Sequence, residues 1–176
     1  HLESEERTPA KVIKVDYLAN LAVVSPVKVG FMDGMKAVQI VRDAQVGKPL
    51  TACQVLSNNT AKFSTGELSR AQVSGYPYGN AAFLVYQVDI PLVRDGGGYS
   101  VPFVNDRGLA GLLMSYNTSE RVATVIAAPV IRHFIDDLDD GDYAGFPRAG
   151  FSFTSLDDPQ LRRYAQAEAV DHGVYI

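Results

Sequence analysis

Short runs of alternating or wholly apolar residues, broken by turn residues, fill the chain as far as Ala127. Lys11 to Asp16 alternates polar and apolar positions, and Leu21 to Val24 is a short apolar run. Leu50 to Ser57, Glu67 to Val73 and Ala81 to Ile90 are further β-rich segments, as are Val101 to Val104, Leu109 to Tyr116 and Arg121 to Ala127. Successive side chains on a strand face opposite ways, so a period of two predicts strands here. Asn105-Asp106-Arg107-Gly108 carries residues that tolerate turn backbone angles, and predicts a hairpin between two of them. Short strands at this spacing point to an antiparallel barrel or sandwich rather than a parallel α/β sheet.

The period changes at Pro129. Val130, Ile131, Phe134, Ile135 and Leu138 recur at helical spacing, with the proline suited to a first turn. Asp139-Asp140-Gly141-Asp142 follows. Carboxylates are unfavourable at a helix C-terminus, so Gly141 must supply the stop. A loop with Gly145, Pro147 and Gly150 comes next, then a short strand near Phe151 to Phe153. A short helix is predicted after Asp157 or Asp158, with Pro159 in its first turn. Gly173-Val174-Tyr175-Ile176 reads as the start of another strand, which suggests a piece of a longer protein.

Composition narrows the function classes. Hydrophobic residues are 47% and charged residues 20% of the 176, enough for a sizeable packed core. A formal charge of −4 lacks the basic footprint that neutralises phosphates, so nucleic acid is excluded as a partner. No apolar run approaches the roughly 18 residues of a membrane span, and no signal peptide is visible in the polar first residues. The single cysteine, Cys53, rules out an intramolecular disulfide and reads as a buried strand thiol. Asn58-Asn59-Thr60 and Asn117-Thr118-Ser119 match the glycan acceptor pattern, which recurs by chance.

Few side chains promise chemistry. His133 sits among apolar helix neighbours and reads as packed or capping, His172 precedes a glycine, and His1 is terminal. None has metal-ligand spacing with Cys53 or another histidine, so neither a metal nor a cofactor is expected. The acidic run Asp136 to Asp142 fails the calcium-loop pattern, which needs oxygen ligands where Leu138 and Pro147 stand. Gly96-Gly97-Gly98 is the most unusual local feature. Its amides could face an anion, as in an oxyanion hole, or form a plain turn; no Lys-Ser/Thr pair follows to make a phosphate loop.

Six ordered motifs together resemble the HtrA/Deg-type trypsin-like serine proteases, most closely the plant-type Deg branch. Pro9 to Asp16 and Asn20-Leu21-Ala22-Val23-Val24 are similar to that family's strand pair carrying Asp-Leu-Ala-Leu-Leu. Thr65-Gly66-Glu67-Leu68-Ser69 resembles its Thr-x-Gly-x-x-Ser strand, shorter by one spacer. Asp89, a glycine cluster and Pro102 to Gly111 resemble its nucleophile region. Val125 to Ile135 matches its Ile-Pro-x-x-x-Val helix start. Tyr143 to Gly150, Leu156 to Arg162 and Gly173-Val174 resemble the opening of a PDZ domain.

The resemblance implies an all-β protein. Residues 1–33 would end an incomplete N-terminal chymotrypsin/trypsin-like barrel, 34–127 would form the C-terminal barrel, 128–142 a linking helix, and 143–176 the truncated start of a PDZ domain. It also implies a degenerate catalytic site. The family's catalytic aspartate falls on Asn20, whose amide cannot stabilise an imidazolium; the template triad loses about 10⁴ in turnover from such a change. The nucleophile falls on Tyr99 counting back from Pro102, or on Gly98 counting forward from Asp89, because this loop is one residue longer. Ser100 is the nearby serine, but adjacent strand residues face opposite ways, so it reads as an ordinary strand residue. The catalytic histidine would lie upstream of His1. Gly97 and Gly98 could still shape an oxyanion-type loop.

The expectation is therefore a pseudoprotease that binds or scaffolds protein or peptide, alone or as a homo-oligomer. The alternative is an active serine endopeptidase of the protein quality-control type using Ser100. A periplasmic or otherwise extracytoplasmic setting follows from the resemblance alone.

Overall fold

The structure, a computed structural model, describes residues 7–78, 81–93, 100–139, 141, 143–147, 150–151, 153–170 and 172–176. The chain divides into two units, His1–Gly145 and Phe146–Ile176.

In the first unit, β1 (Ala10–Asp16) and β2 (Leu21–Pro26) form an antiparallel hairpin with Asp16 opposite Leu21 and a bulge between Val12 and Lys14. Six further strands follow: β3 (Pro49–Val55), β4 (Ala61–Gly75), β5 (Ala82–Asp89), β6 (Pro102–Asn105), β7 (Gly108–Asn117) and β8 (Val122–Ala127). They close into an antiparallel barrel in the order β3-β4-β5-β8-β7-β6, with β6 returning to β3. Closure removes the free sheet edges an open sheet of this size would carry.

Alternation on β3 turns Leu50, Ala52 and Gln54 into the barrel. They join Leu68, Tyr86, Val88, Phe103 and Val125 in one apolar cluster, apart from Gln54 at its margin. Burying a side chain of this size stabilises the fold by about 1.5–3 kcal/mol. The same alternation sends Cys53 to the outer face opposite Phe63, so the thiol is half-buried rather than a core residue. Partial burial still pushes its pKa up.

The Asn105–Gly108 turn forms as expected. The Asn105 side-chain oxygen accepts from the amides of Arg107 (2.9 Å) and Gly108 (3.1 Å), and Gly108 has φ 140°. The helix α1 (Ala128–Asp139) buries Val130, Ile131 and Phe134, and Arg132 donates to the Ile40 carbonyl at 3.0 Å. Gly141, at φ 85°, donates to the Leu138 carbonyl and ends the helix in the left-handed conformation glycine favours.

β4 runs 15 residues, well beyond the predicted Glu67 to Val73. Its first half pairs with β3 and its second with β5, across a bulge between Leu68 and Arg70. Only Leu68 is buried along it, so the strand carries little apolar alternation to read.

In the second unit, β9 (Thr154–Ser155) pairs antiparallel with β10 (Val174–Tyr175). This strand lies just after the predicted Phe151 to Phe153, because the Leu156 amide finds the Gly173 carbonyl and sets the register. Helix α2 (Pro159–Tyr164) begins as the sequence predicts: the Asp158 carboxylate caps the Gln160 amide at 2.7 Å and Pro159 occupies the first turn.

Candidate functional site

A cleft of about 780 Å³ opens between the β1–β2 hairpin and the barrel. Val15, Ala22 and Val24 wall it on the hairpin side, and Leu112, Leu113, Met114 and Ile126 on the barrel side. Val15 and Ala22 are a cross-strand pair, so their side chains share the face turned to the cleft. On the far wall β7 pairs with β6 only as far as Leu112, and the Leu113 amide donates to the Val101 carbonyl. From Met114 to Asn117 the strand keeps only β8 as a sheet partner among the described residues.

Two sequence-predicted positions meet in this cleft. Asn20 ends the tight turn of the hairpin at φ 54°, a region asparagine tolerates better than most residues. Ser100 lines the same cleft at φ 61°, outside β6. It is therefore not the extended strand residue its neighbours suggested; a left-handed serine is held there by its surroundings at some cost in strain. Gly97, Gly98 and Tyr99 lie outside the described residues.

Asp16 and Tyr143 fix the turn that presents Asn20. Asp16 is buried, and one carboxylate oxygen accepts from the Ala19 amide at 2.8 Å while the other accepts from the Tyr143 hydroxyl. The Tyr143 ring packs edge-on against Phe134, with centroids 5.6 Å apart, and the Lys14 ammonium lies 4.3 Å from its centroid. Desolvation raises the Tyr143 pKa above the phenol range, helped by the bond to Asp16 and the negative charges of Asp16 and Asp137. Gly145, just beyond, donates its amide to Asp137 at 2.6 Å, and its carbonyl meets His133 Nε2 at 3.1 Å. His133 is thus engaged on α1. Neither it nor His172 lines the cleft.

The motif residues around Asp89 are joined to one another. Ser69 Oγ donates at 3.1 Å to Asp89 and also lies 3.1 Å from the Gln87 carbonyl. A Cβ at Gly66 would lie 2.3 Å from the Asp89 carbonyl oxygen, so only glycine permits that approach.

Four contributors escaped the sequence reading: Asp16, Tyr143, Gln54 and Tyr116. The last two bond the backbone of residues 90–93. An aspartate three residues before the amide it caps was the one local signal available, at Asp16. No group of three or more metal-ligating side chains occurs among the described residues, and none of their helices is long and apolar enough to cross a membrane.

No family model matches the sequence. The chain is 24% identical over 164 residues to the serine protease DegP homolog of Plasmodium falciparum, covering 92% of this chain and 19% of that protein. It is 30% identical over 112 residues to the chloroplastic protease Do-like 2 of Arabidopsis thaliana, covering 61% of this chain and 18% of that one. A mitochondrial Do-like protein of the same plant is 25% identical over 91% of this chain and 29% of its own length. The chain thus spans less than a third of the length of these relatives. Among solved structures, the HtrA-type protease AlgW with decapeptide superposes with a TM-score of 0.65 at 16% identity, over 95% of this chain and 51% of that one. The MamO protease domain of Magnetospirillum magneticum gives 0.57 at 18% identity, over 73% and 68%. In sequence this chain is similar to DegP and Do-like proteases, and its fold is the trypsin-like fold of HtrA-type proteases.

Proposed function

We propose that this chain belongs to a catalytically inactive trypsin-fold protein whose cleft binds extended protein or peptide segments. The observation that carries the reading is the cleft itself: Asn20, an amide where the family resemblance places an aspartate, shares an apolar groove with Ser100. An amide at Asn20 cannot orient or stabilise an imidazolium, and without that help a serine hydroxyl is a poor nucleophile. The Asp16 carboxylate reaches the cleft, but both its oxygens are already engaged. The stretch of β7 beyond its β6 partner offers backbone groups for strand addition, and the apolar walls offer side-chain pockets. The decapeptide named with AlgW supports the same ligand class. Residues 143–176 are read as the opening of a PDZ domain, a further peptide-binding module, and self-association fits a family of this kind. The chloroplastic and mitochondrial names of the relatives widen the expected setting from the periplasm to organelles.

The test is binding of a pool of fluorescent unstructured peptides, read by anisotropy. Val24 and Met114 line the cleft from opposite walls. Val24→Glu and Met114→Glu each place a charge on an apolar wall, and are expected to weaken binding by about tenfold or more with the fold intact. Unchanged binding in both folded variants overturns the cleft as the site.

One observation favours a second reading, an active endopeptidase. Ser100 is a strained, non-glycine residue on the cleft, and such strain clusters at functional positions. Labelling by a serine-reactive fluorophosphonate separates the two.

A further inference from the structure

A second hollow, of about 450 Å³, lies where the loop before β3 meets the β6–β7 turn, and it shares no lining residue with the cleft. Ala44, Pro49 and Leu50 give it apolar surface, and Leu50, only 1% exposed, belongs to the barrel core. Lys48 lines it from the loop and Arg107 from the turn.

Both walls are held by their own hydrogen bonds. On the loop, the Ala44 amide donates to the Tyr86 hydroxyl at 3.2 Å and the Lys48 amide to the Gln45 carbonyl at 3.2 Å. The Lys48 carbonyl accepts from the Leu68 amide at 3.0 Å. On the turn, the Asn105 side chain holds the Arg107 and Gly108 amides. One bond joins the walls: Arg107 Nη2 donates to the Asp43 carbonyl at 3.2 Å. That bond anchors the guanidinium and leaves its other N–H donors available.

Neither Lys48 nor Arg107 forms an ion pair with a described residue. Asp106 is the one carboxylate among the lining residues, so two positive charges stand against one negative in a chain of formal charge −4. The local field is therefore opposite in sign to the net charge. A preformed hollow of this size, with apolar surface and a few convergent polar groups, has the usual form of a small-ligand site.

We propose that this hollow binds a carboxylate carried on a small apolar body, either the last residue of a peptide chain or a free acid of similar size. Arg107 has N–H groups left to pair with both carboxylate oxygens, Lys48 adds a point charge, and Leu50 and Pro49 offer surface to the apolar body. Asp106 repels further negative charge, which favours a carboxylate over a phosphate dianion. None of these residues lines the cleft, so this binding does not depend on the peptide reading above.

Amide chemical-shift titration by NMR on the full chain tests it. The ligands are N-acetyl-leucine, a short peptide ending in a free leucine carboxylate, and the carboxamide form of each. At constant ionic strength the carboxylates are expected to shift the Lys48, Leu50 and Arg107 amides saturably, and the carboxamides to leave them unmoved. Lys48→Gln should weaken binding by about threefold or more, and Asp106→Asn should tighten it by a similar factor. The Lys48 side chain is exposed and makes no ion pair with a described residue, so this variant decides even where Arg107→Gln loosens the loop. A response to only one of the two carboxylates upholds the chemistry and names its source, chain end or free acid. Equal shifts with the carboxamides or with sodium chloride, a response that does not saturate, or unchanged binding in both Lys48→Gln and Asp106→Asn overturns the site.

Discussion

Removing the Tyr143 hydroxyl should cost far more than a surface change at a half-buried residue usually does. Tyr143→Phe keeps the edge-on contact with Phe134 and the ring face beneath Lys14. What it deletes is the donor to Asp16, a carboxylate only 8% exposed. The Ala19 amide still serves one oxygen, but the other is left in a site with little water. A hydrogen bond to a charged group contributes about 1.5–3 kcal/mol, and stranding the buried acceptor adds to the loss rather than reducing it. Taking 2 kcal/mol, the melting temperature falls by about 4–8 °C for a chain of this size. Urea denaturation followed by circular dichroism measures the change directly. A double-mutant cycle with Asp16→Asn isolates the pair, with a coupling energy above about 1 kcal/mol expected. A loss under about 0.5 kcal/mol, or effects that simply add, refutes the argument that this bond holds the Asn20 turn.

Other outcomes follow from the same geometry. Gly66→Ala brings a methyl 2.3 Å from the Asp89 carbonyl oxygen and 2.5 Å from Ile90 Cβ, so β4 and the end of β5 must part. The expected loss is about 2–3 kcal/mol in urea titration, and a neutral effect contradicts the close approach. Tyr76 is buried and donates to the Leu84 carbonyl at 3.1 Å; burial raises its pKa well above the phenol range. Its contribution to stability is fully present below the unfolded value near pH 10 and declines as pH rises beyond it, by up to about 1.4 kcal/mol per pH unit. Denaturation midpoints measured through that range should fall less steeply in Tyr76→Phe.

The parts of the fold visible in the sequence are those whose cause is local. Period-two runs located seven of the eight strands of the first unit closely. β4 extended past its segment because its first half, Phe63 included, lies largely exposed and carries no apolar alternation to read. Gly141 and Pro159 stood where a helix must stop and start, since backbone sterics alone demand it. The site was legible in part. Asn20 could be placed from the motif around it, and the structure brings it to one cleft with Ser100. The conformation of Ser100 was hidden, because strand propensity gives no warning of a residue forced to φ 61° by its context. The Tyr143–Asp16 bond joins residues 127 positions apart. Gln54 looked like one more residue of a strand. Its inward position became meaningful only once an unpaired backbone segment lay against it.

Whether Ser100 is a nucleophile decides between a binding cleft and an active site. Incubation of the folded chain with a fluorophosphonate probe, followed by intact-mass measurement, is the direct test. No covalent adduct above that of Ser100→Ala is expected. An adduct that forms on the native chain and disappears in Ser100→Ala contradicts it, and makes the cleft an active site.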